Sequence, residues 1–313
     1  MSTDLTPADA APTLAMVGLG RMGANMARRL ARSGATVHGF DPQPAARDAL
    51  AGEPGVTLHA SLAAAVAALP IPRTVWLMLP AGEASETTLA GLPALLAPGD
   101  RVVDGANANW QDSQRHAREL AAHGLQFADC GVSGGVWGLD NGYCLMFGAE
   151  PDTAAALAPL MRRLAPAPDR GWLHCGPPGS GHFVKMVHNG IEYGAMQAYA
   201  EGFALLERSA SFDLDATAIG ETWRHGSVVR SWLLDLTVDA LGQPGALESV
   251  EPFVADSGEG RWTVDEAVRQ GTPVPVIALA LMSRFASQGG ADTSNRLLSL
   301  MRKGFGGHAV KHR

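Results

Sequence analysis

The chain has 313 residues, 46% of them hydrophobic and 18% charged, with a formal net charge of -7 and a pI near 5.8. That length suffices for two domains and a sizeable core. The acidic balance argues against a general nucleic-acid binder, which needs a basic surface to neutralise phosphates.

Residues 1–12 read as a frayed tail without the basic and apolar parts of a leader. No stretch of about 20 apolar residues is present to span a membrane. The three cysteines, Cys130, Cys144 and Cys175, lack metal-ligand spacing and read as reduced, cytosolic thiols. Thr13–Val17 reads as a short apolar strand running into Gly18-Leu19-Gly20-Arg21-Met22-Gly23, with a helix through Leu30. A Gly-x-Gly-x-x-Gly run is weak alone, but strand before and helix after are the context a dinucleotide site requires. The first glycine allows the tight turn, the second lets a pyrophosphate approach, and the third lets helix and strand pack closely. The helix N-terminus favours the anion. A glycine turn without ligand is the bland alternative.

Thr36–Phe40 is a second strand, closing on Asp41. A carboxylate there accepts bonds from the adenosine ribose and repels a 2′-phosphate. Arg47 is the nearest cation, so the pattern favours NAD over NADP; the plainer role for Asp41 is a turn cap. Val56–Leu58 is a strand, Ser61 opens an Ala-rich helix, Thr74–Leu79 is a buried strand ending at Pro80, and Arg101–Asp104 another ending at Gly105-Ala106-Asn107. This alternation predicts a doubly wound parallel sheet with helices on both faces. Ligands sit at the carboxyl ends of such strands, which puts Leu79, Pro80 and Asn107 beside the cofactor. Leu125–Asp129 is a further strand, and a glycine loop follows over 130–138. Within it Ser133, Gly134 and Gly135 offer a hydroxyl and two unhindered N–H groups, a nest for a substrate carboxylate or hydroxyl, or a simple connection. Without a Gly-x-Ser-x-Gly elbow Ser133 is no obvious nucleophile. Tyr143–Phe147, the helix Asp152–Leu164 and the strand Trp172–His174 complete this half.

From Pro177 strand patterns fade, and an all-α C-terminal domain is expected. We divide the chain into a tail 1–12, a dinucleotide-binding domain 13–177 and a helical substrate and oligomerisation domain 178–313. Ser180 reads as the N-cap of a long helix that carries Lys185 and runs to about Ala210. At about 100° per residue, Asn189 and Glu192 share the face of Lys185, and His188 sits at its edge. Phe183, Val184, Met186, Val187 and Ile191 make the segment mostly apolar, so this polar stripe is either functional or a buried structural network. Gly190, Gly194 and Gly202 suggest close helix packing. Further helices are expected at Asp215–Arg224, Trp232–Leu241, Thr263–Gln270, Val274–Gln288 and Thr293–Arg302. Residues 256–262 form a polar glycine loop, and 302–308 are too glycine-rich for a helix.

Taken together, Gly18-Leu-Gly-Arg-Met-Gly23, Asp104-Gly-Ala-Asn107, Gly131-Val-Ser-Gly-Gly135, Gly181-His-Phe-Val-Lys-Met-Val-His-Asn-Gly-Ile-Glu-Tyr193, Gly258-Glu-Gly-Arg-Trp-Thr263 and the tail Arg302 to His308 resemble the decarboxylating 6-phosphogluconate dehydrogenases, in the short, often NAD-preferring branch of the β-hydroxyacid dehydrogenase superfamily. The resemblance covers nearly the whole chain. It implies a Rossmann-type N-terminal domain and a metal-free oxidative decarboxylation in the cytoplasm. Lys185 would be the general base on the C3 hydroxyl, starting neutral, and Glu192 the acid that protonates the enediol after CO2 leaves. Asn107, Ser133, Gly134, Gly135, His188 and Asn189 would orient the sugar acid. Tyr193, Arg284 and Arg302 match phosphate-binding positions, with Arg302 and His308 delivered by a neighbouring subunit. A homo-oligomer follows, a dimer at least and a tetramer by likeness to the short branch.

Two departures accompany the resemblance. The long form has a Lys and a Thr before Gly-x-Trp-Thr where this chain has Ser257 and Glu259, and Glu259 turned inward would repel a phosphate. The long form's Asn-Arg-Thr after the second strand becomes Asp41-Pro-Gln, in keeping with NAD. The rival readings are a 3-hydroxyacid dehydrogenase without decarboxylation or an imine reductase, and, from another class, a non-catalytic nucleotide sensor.

Overall fold

The computed structural model describes residues 11–306 and 311; most of the expected tail 1–12, and His308, lie outside the described residues. The chain forms two compact units, Met1–Met186 and Val187–Arg313.

In the first unit the elements are β1 (Thr13–Val17), α1 (Arg21–Arg32), β2 (Thr36–Phe40), α2 (Pro44–Asp48), β3 (Val56–Leu58), α3 (Leu62–Ala67), β4 (Thr74–Leu77), α4 (Glu83–Gly91), β5 (Arg101–Asp104), α5 (Trp110–Ala121), β6 (Gln126–Ser133), α6 (Gly138–Asn141), β7 (Cys144–Ala149), α7 (Pro151–Leu164) and β8 (Trp172–Gly176). The sheet order is β3-β2-β1-β4-β5-β6-β7-β8. Through β6 this is the doubly wound order, with its switch point between β1 and β4. Successive residues of β1 feed opposite cores: Leu14 and Met16 pack with Met26, Leu30 and Trp76, Ala15 and Val17 with Val75, Leu77 and Val102. A strand buried on both faces reads as a continuous apolar run, which is why β1 was legible.

The wholly parallel sheet is corrected at one edge. β7 runs antiparallel to β6, and β8 runs parallel to β7. The short connection from β6 to β7 suits an antiparallel neighbour, since a parallel one needs a longer crossover. The same pairing extends β6 beyond Asp129: Cys130 to Ser133 pair with Phe147 to Cys144, so the loop expected from Cys130 starts at Gly134. β4 stops at Leu77, two residues short of Leu79.

α8 (Ser180–Glu207) begins before the division of the chain and continues past it. The second unit adds α9 (Ala216–Trp223), α10 (Trp232–Leu241), α11 (Glu259–Gln270), α12 (Pro275–Ser287) and α13 (Asp292–Gly306). Asp215 and Ser231 cap α9 and α10 by accepting the N–H groups of Ala218 and Leu234 at 2.9 and 3.1 Å. α11 starts at Glu259, four residues before the expected Thr263. Gly258 takes a left-handed φ of +104°, and the Asp256 carboxylate accepts its N–H at 3.0 Å, so the turn closes there. α13 continues through Gly306, past the stop expected at Arg302; a glycine costs only about 1 kcal/mol in a helix already formed. Gly190 and Gly194 do face close neighbours, Thr263 and Val276, whereas a Cβ at Gly202 would meet nothing within 4 Å. Among the described residues no helix is long and apolar enough to cross a membrane.

Candidate active site

The glycine turn separates into two tasks. Gly18 has φ +90°, and a Cβ there would lie 2.4 Å from the Met78 carbonyl oxygen; a Cβ on Gly23 would lie 1.9 Å from the Gly18 oxygen. Both positions therefore exclude any side chain. At Gly20 a Cβ would meet nothing within 4 Å, so packing does not require glycine there. Gly20 is the N-cap of α1 and supplies no side-chain acceptor, leaving bare backbone at the positive end of a helix, where an anion is favoured. Arg21 is exposed and Met22 half-buried, while Leu19 is buried.

Asp41 does cap its turn: one carboxylate oxygen accepts the Gln43 N–H at 2.8 Å. The other accepts the Leu19 N–H, also at 2.8 Å, which aims the group at the glycine turn. A carboxylate offers about four acceptor positions, so capacity for ribose hydroxyls remains. The Arg47 guanidinium donates to the backbone oxygen of Asp41 at 2.6 Å. Leu79 stands against the same turn, its Cδ2 2.9 Å from where a Gly18 Cβ would be, and Pro80 is exposed beside it. Past β5, the fully buried Asp104 accepts the Ala106 N–H at 3.0 Å and fixes the turn that presents exposed Asn107. Bare backbone, a helix terminus and an acid held against the glycine turn fit a dinucleotide.

Strand β6 addresses α8 twice. The Asp129 carboxylate, 0% exposed, accepts the Gly179 N–H at 2.6 Å and the His182 N–H at 2.7 Å. It thus caps the helix that Ser180 was expected to cap; Ser180 is itself the first helical residue, and its buried hydroxyl has no hydrogen-bond partner. Burial pushes the Asp129 carboxyl above the ordinary range, against the pull of His182 and the two N–H groups. From α5, Ser113 pairs with the buried His182 ring at 2.7 Å. Two residues along β6, Gly131 makes room for Lys185: a Cβ there would lie 2.3 Å from the Lys185 Cβ and 2.8 Å from its Cγ. Lys185 is only 9% exposed. β6 then ends at Ser133, and Gly134 and Gly135 follow with φ of +126° and +53°, a backbone path that favours glycine.

The second unit holds the rest of the stripe. Asn189 donates from Nδ2 to Glu259 at 3.1 Å, and its Oδ1 lies 2.9 Å from Nδ1 of His188. Glu192 is half-buried, its Oε2 4.0 Å from the same His188 nitrogen. Tyr193 is buried on Ala280 and Leu281, and the Arg284 guanidinium lies 3.5 Å over its ring, a cation–π contact. The Tyr193 hydroxyl donates to Asp256 at 3.3 Å. Although burial opposes it, Arg261, the Gly258 N–H and Tyr193 hold the Asp256 carboxyl below the ordinary range. Tyr193 and Arg284 are therefore together, while Arg302 is exposed on α13.

The sequence alone assigns no individual role to Asp129, Gly131, Asp256 or Arg261, although Gly131 and Arg261 stand in the motifs that carry the resemblance. Asp256 and Arg261 lie in the polar glycine loop; Asp129 and Gly131 give no local cue to their roles, because each acts on a helix about 50 residues downstream.

Two family profiles match the chain: the NAD binding domain of 6-phosphogluconate dehydrogenase over residues 13–175, and the 6-phosphogluconate dehydrogenase C-terminal domain over residues 181–309. The chain is 42% identical over 298 residues to the NAD(+)-dependent, decarboxylating 6-phosphogluconate dehydrogenase of Haloferax volcanii, covering 95% of this chain and 98% of that one. It superposes on a solved 6-phosphogluconate dehydrogenase of Plasmodium falciparum with a TM-score of 0.82 at 23% identity, spanning 96% of this chain and 66% of that longer one. A Mycobacterium tuberculosis 3-hydroxyisobutyrate dehydrogenase follows with a TM-score of 0.70 at 26% identity, over 90% of this chain and 94% of that one. With both halves matched and a relative shared almost end to end, the chain belongs to the 6-phosphogluconate dehydrogenase family.

Proposed function

We propose that the chain catalyses the oxidative decarboxylation of 6-phospho-D-gluconate to D-ribulose 5-phosphate and CO2, with NAD+ as hydride acceptor, as a cytoplasmic enzyme of the pentose phosphate pathway. The observation that carries this reading is the nearly full-length similarity to the Haloferax volcanii enzyme, whose name states that chemistry and that coenzyme.

Residues 13–177 act as the dinucleotide-binding domain and 178–313 as the substrate and oligomerisation domain. Gly18, Gly20, Gly23 and Asp41, with Leu79, Pro80 and Asn107 at the strand ends, would hold the coenzyme. Bound there, NAD+ supplies the acceptor for the hydride that leaves C3. Lys185, as a neutral amine, takes the C3 hydroxyl proton. The C3 ketone then takes up the electron pair of the bond that releases CO2. Glu192 returns a proton to the enediol carbon. Asn107, Ser133, Gly134, Gly135, His188 and Asn189 orient the hydroxyls and carboxylate. Tyr193 and Arg284 bind the phosphate, with Arg302 and His308 of a neighbouring subunit; a guanidinium matches phosphate geometry. A site completed this way needs at least a dimer, and we expect a tetramer. Glu259 does not turn a free carboxylate on the phosphate: it is 2% exposed and engaged by Asn189 and Ser257.

The test is a paired assay of 6-phosphogluconate with NAD+ and with NADP+, following reduced coenzyme and CO2 together. One CO2 per NADH is expected, with NAD+ preferred. Oxidation without CO2 would move the chain to the 3-hydroxyacid dehydrogenase reading. Asp41→Ser should raise the NADP+/NAD+ ratio of kcat/KM by about tenfold, because a like charge opposite the 2′-phosphate is removed. An unchanged ratio would deny Asp41 its ribose role.

A further inference from the structure

Glu259 opens α11 with its side chain buried, and the reaction steps above give it no task. Its carboxylate accepts the Ser257 hydroxyl at 2.6 Å and the Asn189 amide Nδ2 at 3.1 Å. A carboxylate has no proton to give. Asn189 must therefore turn its NH2 toward Glu259, since the flipped amide would set oxygen against oxygen. That choice fixes the other end of the amide: Oδ1 lies 2.9 Å from Nδ1 of His188. Two acceptors do not make a hydrogen bond, so Nδ1 carries the proton. Glu192 Oε2, 4.0 Å from the same nitrogen, is an acceptor too and favours the same form. In a neutral imidazole with Nδ1 protonated, Nε2 is the acceptor.

We propose that Glu259, braced by Ser257, is a positioning residue that sets the tautomer of His188 through the amide of Asn189. The consequence is a matter of specificity. A ring whose Nε2 accepts pairs with a substrate hydroxyl, which can donate, and disfavours a carboxylate or phosphate oxygen, which cannot. A polar site committed in this way discriminates against the wrong partner because the mismatch sets acceptor against acceptor. The inference rests on His188 and Asn189 contacting the sugar acid, as assigned above, but the tautomer itself can be observed without substrate.

The test uses full-length protein labelled with 15N at histidine, at a pH where the imidazoles are neutral, with the His188 resonances assigned by their loss in a His188→Gln variant. The unaltered protein should show a single tautomer with Nδ1 protonated. Glu259→Gln, equal in size but able to present either oxygen or NH2, should show both tautomers and a kcat with 6-phosphogluconate reduced about tenfold, at unchanged NAD+ affinity. An Nε2-protonated ring in the unaltered protein overturns the proposal, and this measurement needs no variant to fold. A folded Glu259→Gln protein with the tautomer or the kcat unchanged overturns it equally. Failure of the chain to oxidise 6-phosphogluconate at all would instead strike the functional reading and leave the tautomer result standing.

Discussion

Lys185→Met should lower kcat by about 10³-fold while NAD+ binds within about twofold of the unaltered protein. Methionine nearly matches the volume of the lysine stem, so the space over Gly131 stays filled and the fold is spared the cost of a cavity. What disappears is the amine assigned to the C3 hydroxyl proton. The glycine turn and Asp41, far along the sequence, keep their own contacts. Steady-state turnover and a calorimetric NAD+ titration would check both halves of the statement. Turnover above about a tenth of the original would remove Lys185 as the base; NAD+ binding without turnover in the unaltered protein would favour the non-catalytic nucleotide sensor.

Gly131→Ala should cost about 10²-fold in kcat without replacing any residue assigned to the chemistry. The added Cβ would stand 2.3 Å from the Lys185 Cβ, against the roughly 3.5–4.0 Å at which carbon atoms rest. The near end of the lysine side chain cannot swing aside by a rotamer change, so α8 must shift by about 1 Å or more. A displacement of that size in a catalytic group costs about 10²-fold, with about 1–3 kcal/mol of stability lost to overpacking. Kinetics measured well below the variant's melting temperature separate the two. A variant that melts earlier but turns over normally would show that β6 supports the helix without placing the amine.

Much of this arrangement was legible before any coordinates. The bounds of β1, β2, β3 and β5 follow from apolar runs broken by glycine and aspartate, and the glycine turn reads directly because φ and close approach leave glycine alone at Gly18 and Gly23. Helical period alone put Lys185, Asn189 and Glu192 on one face. What stayed hidden depends on partners distant in sequence. Ser180 has the local look of a cap, yet the nearby N–H groups go to Asp129, a carboxylate brought in by the sheet. β6 reads as ending at Asp129, because Gly131 looks like loop until the antiparallel pairing with β7 is known. Glu259 reads as a threat to a phosphate because sequence shows its charge and not the amide it faces.

The continuity of α8 from Ser180 to Glu207 has a consequence for how such a catalyst can be altered. The two groups proposed to handle protons, Lys185 and Glu192, ride on one helix, and seven residues of helical rise set them about 10.5 Å apart along its axis. Peptide geometry keeps that ruler whatever loops lengthen, whichever coenzyme is chosen or however copies assemble. Redesign can therefore exchange the surroundings piece by piece, while an insertion or deletion of even one residue between Lys185 and Glu192 would rotate one group about 100° away from the other.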